Sequence, residues 1–164
     1  MLQKNGFEIE RKFLIQYPDT AVLSKMDNCT VMEIEQSYIS GGGRIRKIVS
    51  QGKTCYIKTV KKHISDIKRE EKEWEISEAE YIAELEEKAE NTNTIKKTRY
   101  AIEKNGFVYE IDVFDFWDDK AFMEVELESE TDSFPIPDFV TVIKEVTEDK
   151  RYRNSSLAVN HEII

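Results

Sequence analysis

The chain has 164 residues, 40% of them hydrophobic and 35% charged, which supports a single domain over residues 1–164 with a substantial core. A formal net charge of −9 argues against general nucleic-acid binding, because such a surface needs a basic footprint. Two cysteines, no secretion-type hydrophobic segment and no run near the roughly 18 apolar residues of a membrane span predict a cytoplasmic protein.

Alternating apolar and polar residues predict mainly β structure in the first half of the chain, because successive side chains of a strand point to opposite faces. A short helix is expected at 19–25, after Pro18, and glycine-containing turns at 41–43 and 50–52 separate neighbouring strands. The expected strands cover residues 7–15, 31–39, 44–49, 53–60 and 67–76.

The second half begins with a helix that follows the capping box of Ser77 and Glu80. Asn105-Gly106 predicts a tight hairpin between strands at 95–104 and 107–116, and a last strand is expected at 121–129. Short helices are expected at 138–147 and 155–159. The fold class is therefore α+β, mainly antiparallel, with about eight strands and a few helices.

Charged residues recur at alternate positions in nearly every expected strand, so each strand has one charged face and one largely apolar face. In an open sheet, the charged face would lie in water. In a closed barrel of eight strands, the same face would line an enclosed site. The signs of the charges are grouped by strand, which favours the enclosed site, since solvated faces usually mix signs to gain cross-strand pairs.

An enclosed site with these charges has the chemistry of a polyphosphate site. Guanidinium groups bind phosphate oxygens in a bidentate manner, and lysines add compact positive charges. The acidic residues would repel a bound polyanion unless divalent cations lay between them. Carboxylate oxygens favour Mg²⁺ or Mn²⁺, which bridge carboxylates and phosphates.

The ordered motifs of the chain resemble the CYTH superfamily, the triphosphate tunnel metalloenzymes. The resemblance begins at EIERKFLI, which is similar to the ExExK signature of the family, and it ends in the segment at 144–158. It covers nearly the whole chain and rests on Glu8, Glu10 and Lys12; Arg44 and Arg46; Lys58; Arg69, Glu71 and Glu73; Lys97 and Arg99; Glu110 and Asp112; and Glu124 and Glu126.

The resemblance implies an eight-stranded antiparallel tunnel and a role for each of these groups. The expected phosphate-binding residues are Lys12, Arg44, Arg46, Lys58, Lys97 and Arg99. The expected ligands of one or two Mg²⁺ or Mn²⁺ ions are Glu8, Glu10, Asp112, Glu124 and Glu126. Glu71, Glu73 and Glu110 are expected to complete the lining, and the catalytic set is expected to be Glu10, Lys12, Asp112 and Glu126.

Among family members, the chain looks most like the small bacterial inorganic triphosphatases, which implies hydrolysis of tripolyphosphate to pyrophosphate and phosphate. The alternatives are a nucleoside or thiamine triphosphatase, a class IV-type adenylate cyclase, and a non-catalytic polyphosphate- or nucleotide-binding module. We expect a small-molecule triphosphate as the substrate, neither nucleic acid nor membrane as a partner, and a monomer or homodimer. Arg11 is expected outside the tunnel, and His63 and His161 are expected on the surface.

Overall fold

A computed structural model describes residues 4–162 of the chain, and this range contains nine strands and three α-helices. In chain order these are β1 (Lys4–Gln16), α1 (Thr20–Ser24), β2 (Cys29–Tyr38), β3 (Arg44–Ser50), β4 (Lys53–His63), β5 (Lys68–Ile76), α2 (Glu78–Leu85), β6 (Ile95–Lys104), β7 (Phe107–Phe114), β8 (Lys120–Glu126), β9 (Val142–Glu145) and α3 (Asn154–Val159). A 3-10 turn over Lys150–Tyr152 precedes α3. None of the helices in this range has the length and apolar character needed to cross a membrane.

Eight of the strands close into an antiparallel barrel in the order β5-β4-β3-β2-β6-β7-β8-β1. The first part of β1 pairs with β5 and completes the closure, while residues 10–16 pair with β8. Beyond the end of β5, strand β9 pairs with β1, and Phe13 lies opposite Glu145. The expected α+β fold with an eight-stranded antiparallel tunnel is confirmed.

The local signals of the sequence are largely confirmed. The Ser77–Glu80 capping box is formed in full, and Asn105 and Gly106 have φ angles of 55° and 78°, as a type I′ hairpin turn requires. The expected helix at 138–147 is wrong, because this segment contains β9. Strand β1 is longer than β5 and leaves backbone groups free to pair, and β-branched Val142 and Ile143 suit a strand there.

The main hydrophobic core lies on the outer face of the barrel. Outward residues of β1, β6, β7 and β8 form one buried cluster, which includes Ile15, Ile111 and Met123. Leu23 of α1 and Phe134 of a later loop pack against it. The expected outward face of Ile9, Phe13 and Ile15 is therefore confirmed.

Arg11 shares this outward parity and lies outside the tunnel, as expected. Its Nε and Nη2 donate to the carboxylate of Glu145 on β9, at 2.9 and 2.6 Å. Its guanidinium also lies 5.2 Å from the centroid of the Phe134 ring. Arg11 thus joins β9 to the barrel wall and takes no part in the interior.

Apolar residues also occur on the inner face of the barrel, where they belong to two separate clusters. Ile34, Ile48 and Ile57 form one cluster on β2, β3 and β4. Leu14 and Phe122 belong to a second cluster, which the C-terminal segment covers with Tyr152, Leu157 and Ala158. The charged residues occupy the section of the interior between these clusters.

Candidate active site

A cavity of about 470 Å³ lies inside the barrel, and side chains from all eight barrel strands line it. Its lining includes 11 of the 14 residues assigned to the site from the sequence: Glu8, Glu10, Lys12, Arg44, Arg46, Glu71, Glu73, Arg99, Glu110, Glu124 and Glu126. Lys58, Lys97 and Asp112 are outside this lining. The alternating charges of the strands therefore face an enclosed space.

Three carboxylates form an acidic cluster inside the cavity. Glu10 of β1, Glu110 of β7 and Glu124 of β8 each place one oxygen within 4.8 Å of the others. Glu110 and Glu124 are paired directly across the two strands, and this register brings their like charges together. Oxygen donors at this spacing suit a hard divalent cation.

Two of the three carboxylates in this cluster, Glu10 and Glu110, have raised pKa values. Burial and the neighbouring Glu124 carboxylate raise the pKa of Glu10 well above its ordinary value. Burial, only partly offset by Arg99, raises the pKa of Glu110 to about 7. A divalent cation between these carboxylates would favour their ionised forms, so the residues fit a metal ion.

Lys12 connects the acidic cluster to the C-terminal segment. Its Nζ donates to the backbone oxygen of Tyr152 at 2.8 Å and lies 3.7 Å from Glu124 Oε1. The ammonium also lies 4.0 Å from the centroid of the Phe122 ring. These contacts hold the charge of Lys12 beside the acidic cluster.

Asp112 is the centre of a separate buried network. Its two oxygens accept hydrogen bonds from Lys97 Nζ, Arg99 Nε and Arg99 Nη2 at 2.8–2.9 Å. Burial opposes ionisation of Asp112, but these two cations outweigh it and hold its pKa well below the ordinary range.

Two sequence-based placements change with this network. Asp112, expected among the metal ligands, is almost fully buried and paired with Lys97 and Arg99, and the carboxylate that lies beside Glu10 and Glu124 is that of Glu110. Lys97, placed among the phosphate-binding residues, has a fully buried side chain that pairs with Asp112 beneath the cavity wall.

Arg44 and Arg46 present hydrogen-bond donors to the cavity. Arg46 Nη2 donates to Glu73 at 2.6 Å, and burial together with Arg44 lowers the pKa of Arg46 to about 10. The Nε groups of both arginines are buried without a hydrogen-bond partner in residues 4–162. Buried donors normally have partners, so this pair points to a bound anion.

Lys58 lies on the outer face of the barrel, contrary to the sequence-based placement. Its Nζ donates to Glu84 of α2, and the neighbouring Tyr56 packs on Tyr81 of the same helix with ring centroids 4.9 Å apart. Lys58 and Tyr56 therefore lie on the outer face of β4, beneath the covering helix. Lys61 points into the cavity and donates to Glu8 at 2.8 Å.

This difference gives a direct prediction. For the triphosphate hydrolysis that the family resemblance implies, Lys58→Gln should leave the rate within about twofold of the wild type, because the side chain is outside the cavity. Lys61→Gln should lower it by about tenfold or more, the effect of one lost charge-assisted hydrogen bond to substrate. Steady-state kinetics on both variants measure this, and equal losses would contradict the placement of β4.

Several cavity residues were not identified from the sequence. Lys61 and His63 extend the inner face of β4, which was expected to end at residue 60. His63, expected on the surface, lies at the rim with Nε2 3.8 Å from Asp66 Oδ1. Tyr38 lines the cavity and accepts a hydrogen bond from Gln36 Nε2 at 2.8 Å. Lys61 and His63 follow Thr59 at intervals of two residues, and this spacing was the sequence signal that could have placed them on the inner face.

His161 and the two tryptophans of the chain have packing roles. His161 stacks on Phe116 with ring centroids 4.3 Å apart and is outside the cavity lining. Trp117 lies in the cluster beneath the C-terminal segment, and Trp74 packs near α2. Helix α2 packs on the outer face of β4, where Tyr81 contacts Tyr56.

Comparisons with known proteins agree with this geometry. An inorganic triphosphatase of Acetivibrio thermocellus is 34% identical over 161 residues, which cover 94% of this chain and 95% of that protein. The crystal structure of the inorganic triphosphatase NE1496 is 29% identical, with a TM-score of 0.57, and the match covers 93% of this chain and 97% of that one.

The PH1819 protein from Pyrococcus horikoshii has the same fold, with 22% identity and a TM-score of 0.51, over 76% of this chain and 80% of that one. The sequence model of the CYTH domain matches residues 6–156, nearly the whole barrel and its C-terminal segment. The resemblance found in the motifs is confirmed: the chain belongs to the CYTH domain family.

Proposed function

We propose that this protein is a divalent-metal-dependent inorganic triphosphatase, which hydrolyses tripolyphosphate to pyrophosphate and phosphate inside the barrel. The observation that carries the proposal is the joint lining of one cavity by an acidic cluster and by arginines with unpartnered donors. A plain anion-binding site would gain nothing from carboxylates beside the phosphates. The similarity to inorganic triphosphatases over more than nine-tenths of the chain supports the same activity.

Glu10, Glu110 and Glu124 would hold the metal ion, which we propose to be Mg²⁺ or Mn²⁺, and Glu126 and Glu8 lie nearby in the same lining. When bound, such an ion neutralises phosphate charge and makes water a better nucleophile at neutral pH.

The basic residues of the chain would bind and orient the substrate. Arg44, Arg46, Lys61 and Arg99 all lie in the cavity lining, and their cationic groups would contact phosphate oxygens. Positioning and charge stabilisation account for most of the catalysis of phosphoryl transfer. The barrel fixes these groups before the substrate arrives, so they need little rearrangement during the reaction.

The cavity favours an inorganic substrate over a nucleotide. Among the described lining residues, the aromatic side chains are Tyr38, His63 and Tyr152. Tyr38 is held by Gln36, and Tyr152 is buried in the cluster beneath the C-terminal segment. A nucleobase would therefore have only the half-exposed His63 at the rim for stacking.

We further propose that the substrate is a small molecule and that the protein acts as a monomer or homodimer, without nucleic-acid or membrane partners. Side chains from all eight barrel strands of a single chain line the cavity, which supports activity without a second subunit. We also infer a cytoplasmic location, supported by the free thiols of Cys29 and Cys55.

A phosphate-release panel tests the activity. The purified protein is assayed with tripolyphosphate, pyrophosphate, ATP and thiamine triphosphate, each with Mg²⁺, with Mn²⁺ and with EDTA. We expect the highest kcat/KM with tripolyphosphate, equimolar phosphate and pyrophosphate as products, and loss of turnover in EDTA. Cyclic AMP and pyrophosphate from ATP would show a cyclase instead. Tight tripolyphosphate binding without turnover would show a binding module.

Metal affinity should rise with pH across neutrality. The raised pKa of Glu110, about 7, means that its carboxyl must lose a proton for metal binding in this range. Glu10 has a raised pKa as well, so both groups act in the same direction. Mn²⁺ titrations should show affinity increasing by about tenfold between pH 6 and pH 8. A pH-independent affinity would contradict the participation of these carboxylates.

A further inference from the structure

Arg99 is bound on two sides by two different carboxylates. Its Nε and Nη2 donate to the two oxygens of Asp112 at 2.8 and 2.9 Å. Its Nη1 donates to Glu110 Oε2 at 2.9 Å. The guanidinium therefore has one fork-like contact and one single contact, and the latter involves the acidic cluster.

The two contacts differ in how easily they can be exchanged. Asp112 is 1% exposed and also accepts a hydrogen bond from Lys97, so it has a complete set of buried partners. The Glu110 side chain is 13% exposed and lines the cavity, and Arg99 is its cationic hydrogen-bond partner among the described residues. Asp112 is thus a fixed anchor for Arg99, and Glu110 can leave.

Glu110 also belongs to the cluster of Glu10 and Glu124, whose oxygens are spaced for one cation. A cation there attracts the same carboxylate that neutralises Arg99. We propose that Glu110 is a placeholder for substrate, which occupies Arg99 Nη1 until a divalent ion draws it away and leaves that donor to a phosphate oxygen. The inference rests on the proposed function and adds a coupling between its two binding events.

The coupling has consequences in both directions. Without metal, Glu110 competes with a triphosphate for Arg99, and its carboxylate repels the triphosphate anion. With metal, Arg99 stays anchored on Asp112 and presents a free donor. Coupling between two binding sites is reciprocal, so the metal ion should raise triphosphate affinity by the same factor by which triphosphate raises metal affinity.

The first experiment measures tripolyphosphate binding by calorimetry in EDTA, with the full chain. Glu110→Gln should bind about tenfold more tightly than the wild type, the effect of freeing one charge-assisted hydrogen bond. Glu126→Gln is the matched control, because Glu126 lines the same cavity and forms no salt bridge with a cation within residues 4–162. This variant loses the same charge, and its tripolyphosphate affinity should rise by no more than about threefold, because the repulsion of the anion is reduced.

A second variant, Glu110→Ala, tests whether the amide of the introduced glutamine causes the effect. It should also bind tripolyphosphate more tightly than Glu126→Gln does. Equal affinities of the Glu110 and Glu126 variants, in a protein that hydrolyses tripolyphosphate with Mn²⁺, would overturn the coupling and leave the proposed function standing. Absence of both tripolyphosphate binding and hydrolysis, with and without metal, would overturn both.

The reverse experiment follows free Mn²⁺ by electron paramagnetic resonance, without triphosphate. Arg99→Gln should bind Mn²⁺ more tightly than the wild type, since Glu110 is then free for the ion. Arg46→Gln is the control, because Arg46 pairs with Glu73, which lies outside the acidic cluster. In the Glu110→Gln background, the effect of Arg99→Gln should fall to that of the control. An unchanged effect would overturn the placeholder role.

Discussion

Glu124→Gln should lower the kcat for tripolyphosphate hydrolysis by about 10²-fold or more, the loss expected when one preorganised electrostatic group is removed from an active site. Glu124 contacts both the acidic and the basic residues of the site. It belongs to the acidic cluster and is paired across strands with Glu110, and its Oε1 lies 3.7 Å from Lys12 Nζ. Burial opposes its ionisation, but Lys12, Arg99 and Lys97 together outweigh this and keep its pKa below the ordinary value. The wild-type residue is therefore ready to bind metal at neutral pH.

Steady-state kinetics over a range of Mn²⁺ concentrations measure this effect, and the metal concentration at half-maximal rate should rise as kcat falls. Glu128→Gln is the matched control, because Glu128 has the same parity along the chain but is exposed and lies outside the cavity lining. It should retain activity within about twofold. Wild-type turnover by Glu124→Gln would remove the acidic cluster from the mechanism.

Asp112→Asn should produce the largest loss of stability among single substitutions in the barrel interior. The change leaves Lys97 and Arg99 buried with a neutral partner, and breaking a buried ion pair in this way costs about 3–5 kcal/mol of the free energy of unfolding. For a chain of this size, the melting temperature should fall by roughly 10 °C. Chemical denaturation and thermal unfolding, both without metal, measure the two quantities.

Glu145→Gln is the control, since it removes one carboxylate from the Arg11 pair, whose side chains are 33% and 38% exposed. Such an exposed pair contributes under about 1 kcal/mol. Because the pKa of Asp112 is depressed in the folded state, its stabilising effect is present above its unfolded pKa and is lost as the pH falls through the lower, folded pKa. Equal losses in the two variants at neutral pH would contradict a structural role for Asp112.

The strand alternation was sufficient to predict which residues share a face in most of the barrel. Glu8, Glu10 and Lys12 are separated from Ile9 and Phe13 by a strict two-residue period, and the structure places the two sets on opposite faces. The alternation did not predict that the sheet closes into a barrel. An open sheet and a barrel have the same alternation, so the resemblance to a family, rather than the period, distinguished them.

The errors arose where two arrangements satisfy the same local pattern. Strand β4 has lysines at both parities, and the alternation alone does not show which set faces inward. In the structure Tyr56 packs on α2 and Ile57 is buried in the inner cluster, so Lys58 faces outward and Lys61 inward. Glu110 and Asp112 share one face of β7, so alternation cannot separate them. Their different surroundings come from the register with β6 and β8, which puts Asp112 opposite Arg99 and Glu110 opposite Glu124.

The central claim is that one cavity binds a divalent ion on the acidic cluster and a triphosphate on the neighbouring arginines. The most direct test is a crystal structure of the protein with Mn²⁺ and tripolyphosphate, with the metal located by its anomalous scattering. We predict a Mn²⁺ peak in bonding distance of Glu10, Glu110 and Glu124, and phosphate oxygens in contact with Arg44 and Arg46. Metal and phosphate density outside the barrel, with the cavity lacking both, would contradict the claim.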